Sequence, residues 1–309
     1  MLRLVPENTK INFLGMRMIA LAVSTMLVLA SIGLYVSKDL NYGIDFKGGS
    51  SVAFELTEPV DLGHIREMLG SLNLGDTSVK EFGAPEKAMV GIELQDGDEE
   101  VQNQTIELVK STFSAEYPDI VYLSSGSIGS TVSGELKSDG ILAVSLAVFF
   151  VLLYIWFRFE WQFGLGAVIA LVHDVVLTIG FFAITQLEFN LSIIAALLTI
   201  VGYSLNDTVV VYDRVRENIR RYNKLTLLEV LNLSLNQTLA RTLMTSITTL
   251  IALFALFFFG GEVIKGFTAA MIWGVVIGTY SSVFIASPML LFFNVKREQM
   301  IIHSDDSQA

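Results

Sequence analysis

One acidic residue stands where acids are rarely tolerated. From Leu191 to Tyr212 the chain is apolar and long enough to cross a bilayer, a task for about 20 residues, yet it carries Asp207 beside Asn206. A charged side chain at the centre of a membrane helix costs about 2.5–3.5 kcal/mol even on the lenient insertion scale, so something must offset it. At helical spacing Thr199, Gly202, Tyr203, Asn206, Asp207 and Val210 fall on one stripe. Two readings fit: a polar seam joining helices through hydrogen bonds, or an acid that takes up and releases protons.

Two further groups belong beside it. Arg241 opens another apolar run and precedes a hydroxyl row, Thr242, Thr245, Ser246, Thr248 and Thr249. The helices carrying Asp207 and Arg241 run antiparallel, and both residues sit one to two turns from the same membrane face. They meet if those helices are neighbours. An acid alternating between an ionised state paired with Arg241 and a neutral, released state is what a proton-driven machine needs. The plainer reading of Arg241 is a topology signal at a cytoplasmic helix end. His173-Asp174, mid-span in a third run, either extends a proton path, since His titrates near neutrality, or forms an interhelical hydrogen bond. Adjacent residues point about 100° apart on a helix, so these two need not act together. Gly274-x-x-x-Gly278, with Ser281 and Ser282, reads as helix packing without chemistry.

Other chemistries drop out. The chain has no cysteine, so thiol catalysis, disulfides and thiolate metal sites are excluded. Its three histidines, His64, His173 and His303, are far apart, and neither a phosphate loop nor a Gly-x-Ser-x-Gly elbow occurs. The expectation is a protein that is not an enzyme and uses no cofactor and no metal.

The elements that must position these residues are membrane spans. The chain is 52% hydrophobic and only 17% charged, with mean hydropathy +0.59, which is membrane-protein composition. Six spans are predicted: Met18–Val36, Ile141–Phe157, Phe163–Leu187, Leu191–Tyr212, Leu243–Phe259 and Gly266–Phe293. The first is too long for a signal-peptide core and reads as uncleaved. Arg3, Lys10 and Arg17 precede it. Arg158, then Arg214, Arg216, Arg220, Arg221 and Lys224, then Lys296 and Arg297 flank the others on one side, against Lys265 alone in the loops after the third and fifth spans. That asymmetry places both termini in the cytoplasm.

The stretch 36–138 then lies outside, with 18 acidic against 7 basic residues. It holds the whole net charge of −11, which argues against nucleic acid as a partner. Val52, Phe54 and Leu56 alternate as in a strand, and Asp61 caps a helix with Leu62, Ile65, Leu69 and Leu72 on one face. Strands follow at Thr77–Phe82 and Met89–Leu94. A second helix uses Val101, Thr105, Leu108 and Thr112, and a last strand spans Ile120–Leu123. The order β-α-β-β-α-β is that of a ferredoxin-like α+β domain. Within Asp45-Phe46-Lys47-Gly48-Gly49, the glycines supply a turn or bulge of positive φ rather than a ligand site. Gly126–Gly134 reads as a flexible return to the membrane, suited to a hinge between domain and spans. Leu227, Leu228, Leu231 and Leu235 read as a surface-lying amphipathic helix. The expected units are 1–36, the first span; 37–138, the periplasmic domain; 139–295, spans two to six with a cytoplasmic loop at 213–240; and 296–309, a tail.

Val201–Asn218, with its Gly-Tyr-Ser-Leu-Asn-Asp-Thr core, closely resembles the fourth transmembrane helix of SecF-type subunits of the SecD/SecF protein-export family. Asn41–Ser50 is similar to the signature after that family's first helix, carried by Gly43, Asp45, Phe46, Gly48 and Gly49. The resemblance implies a member of the resistance–nodulation–division superfamily in the bacterial inner membrane. It implies a six-span half that pairs with SecD and uses the proton-motive force to assist an exported, unfolded polypeptide through the SecYEG channel. Membrane lipid is the remaining partner. It also implies that Asp207 and Arg241 carry the proton step. Tyr203, Asn206, His173 and Asp174, which the residues themselves single out, are the supporting candidates. Two rivals stand beside it: a half-size proton-driven small-molecule exporter, and a scaffold subunit without ion coupling.

Overall fold

The structure, a computed structural model, describes residues 9–81, 83–293 and 295, and only the backbone of Glu262. Arg3, His303, Lys296, Arg297 and the expected tail lie outside the described residues. Among the described residues six helices are long and apolar enough to cross a membrane. A 3-10 turn, Phe13–Met16, leads into α1 (Arg17–Lys38). After the soluble domain come α5 (Ser130–Arg158), α6 (Trp161–Thr185), α7 (Leu191–Arg221) and α8 (Leu227–Phe259). The sixth is α9 (Glu262–Ser281), which runs through a π turn at Ser282–Ala286 into α10 (Ser287–Phe292).

Small residues let α7 and α9 approach closely. A Cβ on Gly278 would lie 3.0 Å from that of Ser204, so a larger residue there would push the helices apart. The apolar core of the bundle is split in two. One cluster gathers Phe163, Tyr212, Val215, Leu235 and Leu290; the other gathers Phe182, Phe189, Ile193, Ile200 and Val275. The buried polar residues Asp174, Ser204, Asp207, Ser281 and Ser282 come from the stretches of α6, α7 and α9–α10 between the two.

The soluble domain inserts between α1 and α5. A one-turn helix, α2 (Ile44–Lys47), precedes β1 (Gly49–Glu55), α3 (Leu62–Ser71), β2 (Thr77–Glu81), β3 (Lys87–Ile92), α4 (Glu99–Glu116) and β4 (Val121–Ile128). The sheet order is β2-β3-β1-β4, antiparallel throughout, and its core joins Val52, Phe54 and Val90 to Ile65, Leu69, Val109 and Phe113. Asp61 caps α3 as expected: its Oδ1 accepts from Gly63 N at 2.8 Å and His64 N at 3.1 Å. Gly48 and Gly49 adopt φ of 76° and 123°, the positive values expected of them.

Four expectations need correction. The buried face of α4 is Thr105, Ile106, Val109 and Phe113, while Leu108 is 45% exposed. Phe113 decides this by packing edge-on against Phe54 at 5.2 Å. The last strand starts later and runs farther than Leu123, because Ser124–Ile128 pair with Gly49–Ala53. For the same reason Gly126–Gly134 is no hinge: β4 ends at Ile128 and α5 begins at Ser130, with Gly129 alone between them. The 227–235 segment does not lie apart on a surface. It forms the first turns of α8, started by a capping box of Thr226 and Glu229, with Leu231 and Leu235 buried in the bundle core. Asn232 Oδ1 and Asn236 Oδ1 accept from Leu14 N and Ile11 N at 3.1 and 2.9 Å, fixing it to the start of the first span. The turn between α7 and α8 is therefore only 222–226.

Candidate functional site

α7 has 31 residues, a length of about 46 Å, so it outruns a hydrocarbon layer of about 30 Å. Its apolar residues pack against α6, α8 and α9, and this fixes the rotation that turns Asp207 inward. Asp207 is 3% exposed, and its Oδ2 is buried without a hydrogen-bond partner among the described residues. Arg241 is exposed on the neighbouring α8, near enough for its charge to act on Asp207. The arrangement is an open one, in which a guanidinium cation on the next helix acts on a buried acid, one oxygen of which has no partner among the described residues.

The predicted stripe on α7 is divided. Thr199, Gly202 and Asn206 face out of the six-helix bundle, whereas Asp207 faces in and Tyr203 is half-buried. The Tyr203 hydroxyl also lacks a partner among the described residues. With Arg241 and Thr248 exposed on α8, polar groups at membrane depth look away from this chain.

His173 and Asp174 do act together. His173 Nδ1 lies 2.9 Å from Asp174 Oδ1, despite the angle between adjacent positions. Asp174 Oδ2 accepts the hydroxyls of Ser204 at 2.6 Å and Ser281 at 2.7 Å, tying α6 to α7 and α9. The reading of Ser281 as packing alone missed this. Ser204 was missed as well, although it stands one helical turn before Asp207, and that spacing was the available signal. Thr279 continues the layer to α8 through Ser246, their hydroxyls 2.7 Å apart. Helix α9 passes directly from Ser281 into its π turn, a feature frequent at functional sites.

The motif after α1 makes a clasp at the N-terminal end of α7. Asp45 Oδ2 accepts from Leu191 N at 2.8 Å, the first residue of α7. Gly43 N donates to Phe189 O at 2.9 Å, and Phe189 N donates to Asn41 O at 2.7 Å. Phe46 sits on Phe189 with ring centroids 5.9 Å apart. Lys80 of β2 pairs with Glu188 in the same loop. Gly48 and Gly49 let the chain pass from α2 directly into β1. A side chain on Gly49 would strike the carbonyl of Ile92 on β3. Soluble domain and α7 are thus joined through a few residues. Asp61, outside the membrane, has its carboxyl held below the usual carboxylate range by the His64 and Gly63 backbone N–H groups.

Comparison with known proteins agrees with this geometry. Residues 108–296 match the family model for the C-terminal part of the protein export membrane proteins SecD/SecF, and residues 38–60 match that for the SecD/SecF GG motif. The protein translocase subunit SecF of Cereibacter sphaeroides is 46% identical over 302 residues, which cover 96% of this chain and 93% of that one. That of Rickettsia bellii is 43% identical over 300 residues, covering 96% and 97%. Among solved structures, SecDF of Thermus thermophilus, described as a translocon-associated membrane protein, superposes with a TM-score of 0.81 at 34% identity. That match covers 93% of this chain but only 39% of the SecDF chain, so this chain spans about two fifths of it. SecDF in its super-membrane-facing form superposes less closely, at 0.69. With six apolar helices and relatives of this identity, the chain is a multi-pass membrane protein of the SecD/SecF family.

Proposed function

We propose that the chain is a SecF-type subunit of the Sec export machinery. With SecD it draws on the proton-motive force to assist unfolded polypeptides through the SecYEG translocon. The observation that carries this reading is Asp207: a carboxyl group, buried at membrane depth, with an unsatisfied oxygen and Arg241 on the adjacent helix. A carboxyl group kept only as packing glue would have its oxygens bonded, as those of Asp174 are. One proton crossing the membrane supplies about 2.3 kcal/mol per 100 mV, enough to bias a two-state helix arrangement.

The remaining placements follow. Both termini lie in the cytoplasm, and the ferredoxin-like domain, 37–138, is periplasmic. Units 1–36, 139–295 and 296–309 are the first span, the remaining spans and the tail. The outward-facing Asn206 and Arg241 support a second six-span bundle against α7 and α8, since polar groups facing lipid are costly. That bundle is the SecD partner, and lipid covers the other faces.

The test is reconstitution. In vesicles with SecYEG, the chain together with SecD is expected to give gradient-dependent export, and the two are expected to co-purify in mild detergent. A chain that is monomeric and fully active without SecD contradicts the reading.

A further inference from the structure

We propose that His173 and Asp174 form a second protonation site within the membrane, distinct from Asp207, with the exchanging proton held at His173 Nε2. Its part in export rests on the proton-coupled reading above; its existence as a site does not.

The argument begins with counting donors. Asp174 is 1% exposed and His173 6%. Asp174 Oδ2 takes two serine hydroxyls and Oδ1 faces His173 Nδ1, so the carboxylate is served on every side. A carboxylate accepting three such bonds acts as an ionised acceptor. With a neutral imidazole donating from Nδ1, the pair then carries one net negative charge at membrane depth. The only open position in the cluster is His173 Nε2, which is buried and without a partner among the described residues. One proton arriving there from water turns the imidazole into imidazolium and brings the pair to net zero. No other atom need move, and proton and charge balance in that single step. A hub built only to hold helices together has no use for an unsatisfied ring nitrogen.

The surroundings leave the pair to itself. Tyr280 of α9 stacks on the imidazole with centroids 6.2 Å apart, its hydroxyl near Ser24 of α1. Helix α7 offers Asp207 and Tyr203 within a turn of Ser204, and α8 offers Arg241. At this depth α1 and α5 have no charged residue: none occurs in 18–37 or 140–157. The nearest ionisable acid is thus Asp207, reached through Ser204 on the same helix. Asp174 is a positioning residue here, since it fixes the tautomer and orientation of the ring and stabilises the imidazolium.

The test is nitrogen NMR of imidazole-labelled full-length chain, co-assembled with SecD in bilayers, with the His173 signals assigned by their loss in His173→Gln. The expected result is a change from one neutral tautomer to imidazolium between pH 5 and 9. It should persist in Asp207→Asn and move to lower pH in Asp174→Asn, where the stabilising charge is gone. In export assays, His173→Gln should shift the pH profile of gradient-dependent transport at unchanged protein level, which a packing role would not do. A single neutral tautomer across that range overturns the proposal, as does a titration unaffected by Asp174→Asn. Full export by Asp207→Asn with His173 still titrating would overturn the proton-coupled reading and leave this site standing.

Discussion

Asp45 Oδ2 accepts the backbone N–H of Leu191 at 2.8 Å, so a residue beyond the first span caps the helix that carries Asp207. The opening turn of a helix has N–H groups without intrahelical partners, and a carboxylate there is favoured by both hydrogen bonding and the helix dipole. Asp45→Ala is expected to weaken the cap by about 1 kcal/mol, roughly a fivefold change in a two-state equilibrium. Gradient-dependent export should fall several-fold with the chain still present in the membrane, and Asp45→Asn should retain more activity because an amide oxygen still caps. Quantitative export from vesicles of matched protein content checks this.

Gly49 is the more rigid half of the clasp. Its φ of 123° and the Ile92 carbonyl beside it leave no room for a side chain. Gly49→Ala should destabilise the soluble domain by about 1–3 kcal/mol through backbone strain. Faster limited proteolysis at β1 and a lower melting temperature are the expected readouts; an unchanged melting temperature would mean that the turn relaxes freely.

Much of this was legible in sequence, for identifiable reasons. Spans announce themselves by length and apolarity, and Asp207 was conspicuous because an acid is costly where it stands. Asp61 was readable because capping is local. The face of α4 was not, because Phe113 meets Phe54 from another element. The hinge and the surface helix failed for a like reason: pairing of Ser124–Ile128 with β1, and of Asn232 and Asn236 with the start of the first span, is long-range. Ser204 was signalled only by its spacing from Asp207, and Ser281 not at all; three helices must meet before either serine becomes a donor to Asp174.

Asp61 gives the soluble domain an acid-sensitive element. Its carboxyl is held below the unfolded value by the α3 backbone N–H groups. The stabilisation is therefore fully present above the unfolded carboxylate range, near 3.9, and fades as pH falls through the lower folded value. Melting temperatures of the 37–138 fragment between pH 7 and 2 should show an acid decline that Asp61→Asn reduces. An identical decline in that variant would assign it to other carboxylates.

The absence of cysteine makes topology directly testable. Ser111→Cys on the exposed face of α4 should react with an impermeant thiol reagent on intact cells, and Lys224→Cys, in the α7–α8 turn, only after lysis. The reverse pattern would invert the proposed orientation.

The central claim is that Asp207 titrates. Asn keeps its size and hydrogen-bonding capacity and removes only the ionisable group. The decisive measurement is gradient-dependent export by Asp207→Asn vesicles at normal protein level, with Arg241→Lys and Arg241→Met beside it. The account predicts loss of gradient dependence in Asp207→Asn and Arg241→Met, and partial activity in Arg241→Lys, which keeps the charge without the planar fork. Full gradient-dependent export by Asp207→Asn would contradict it.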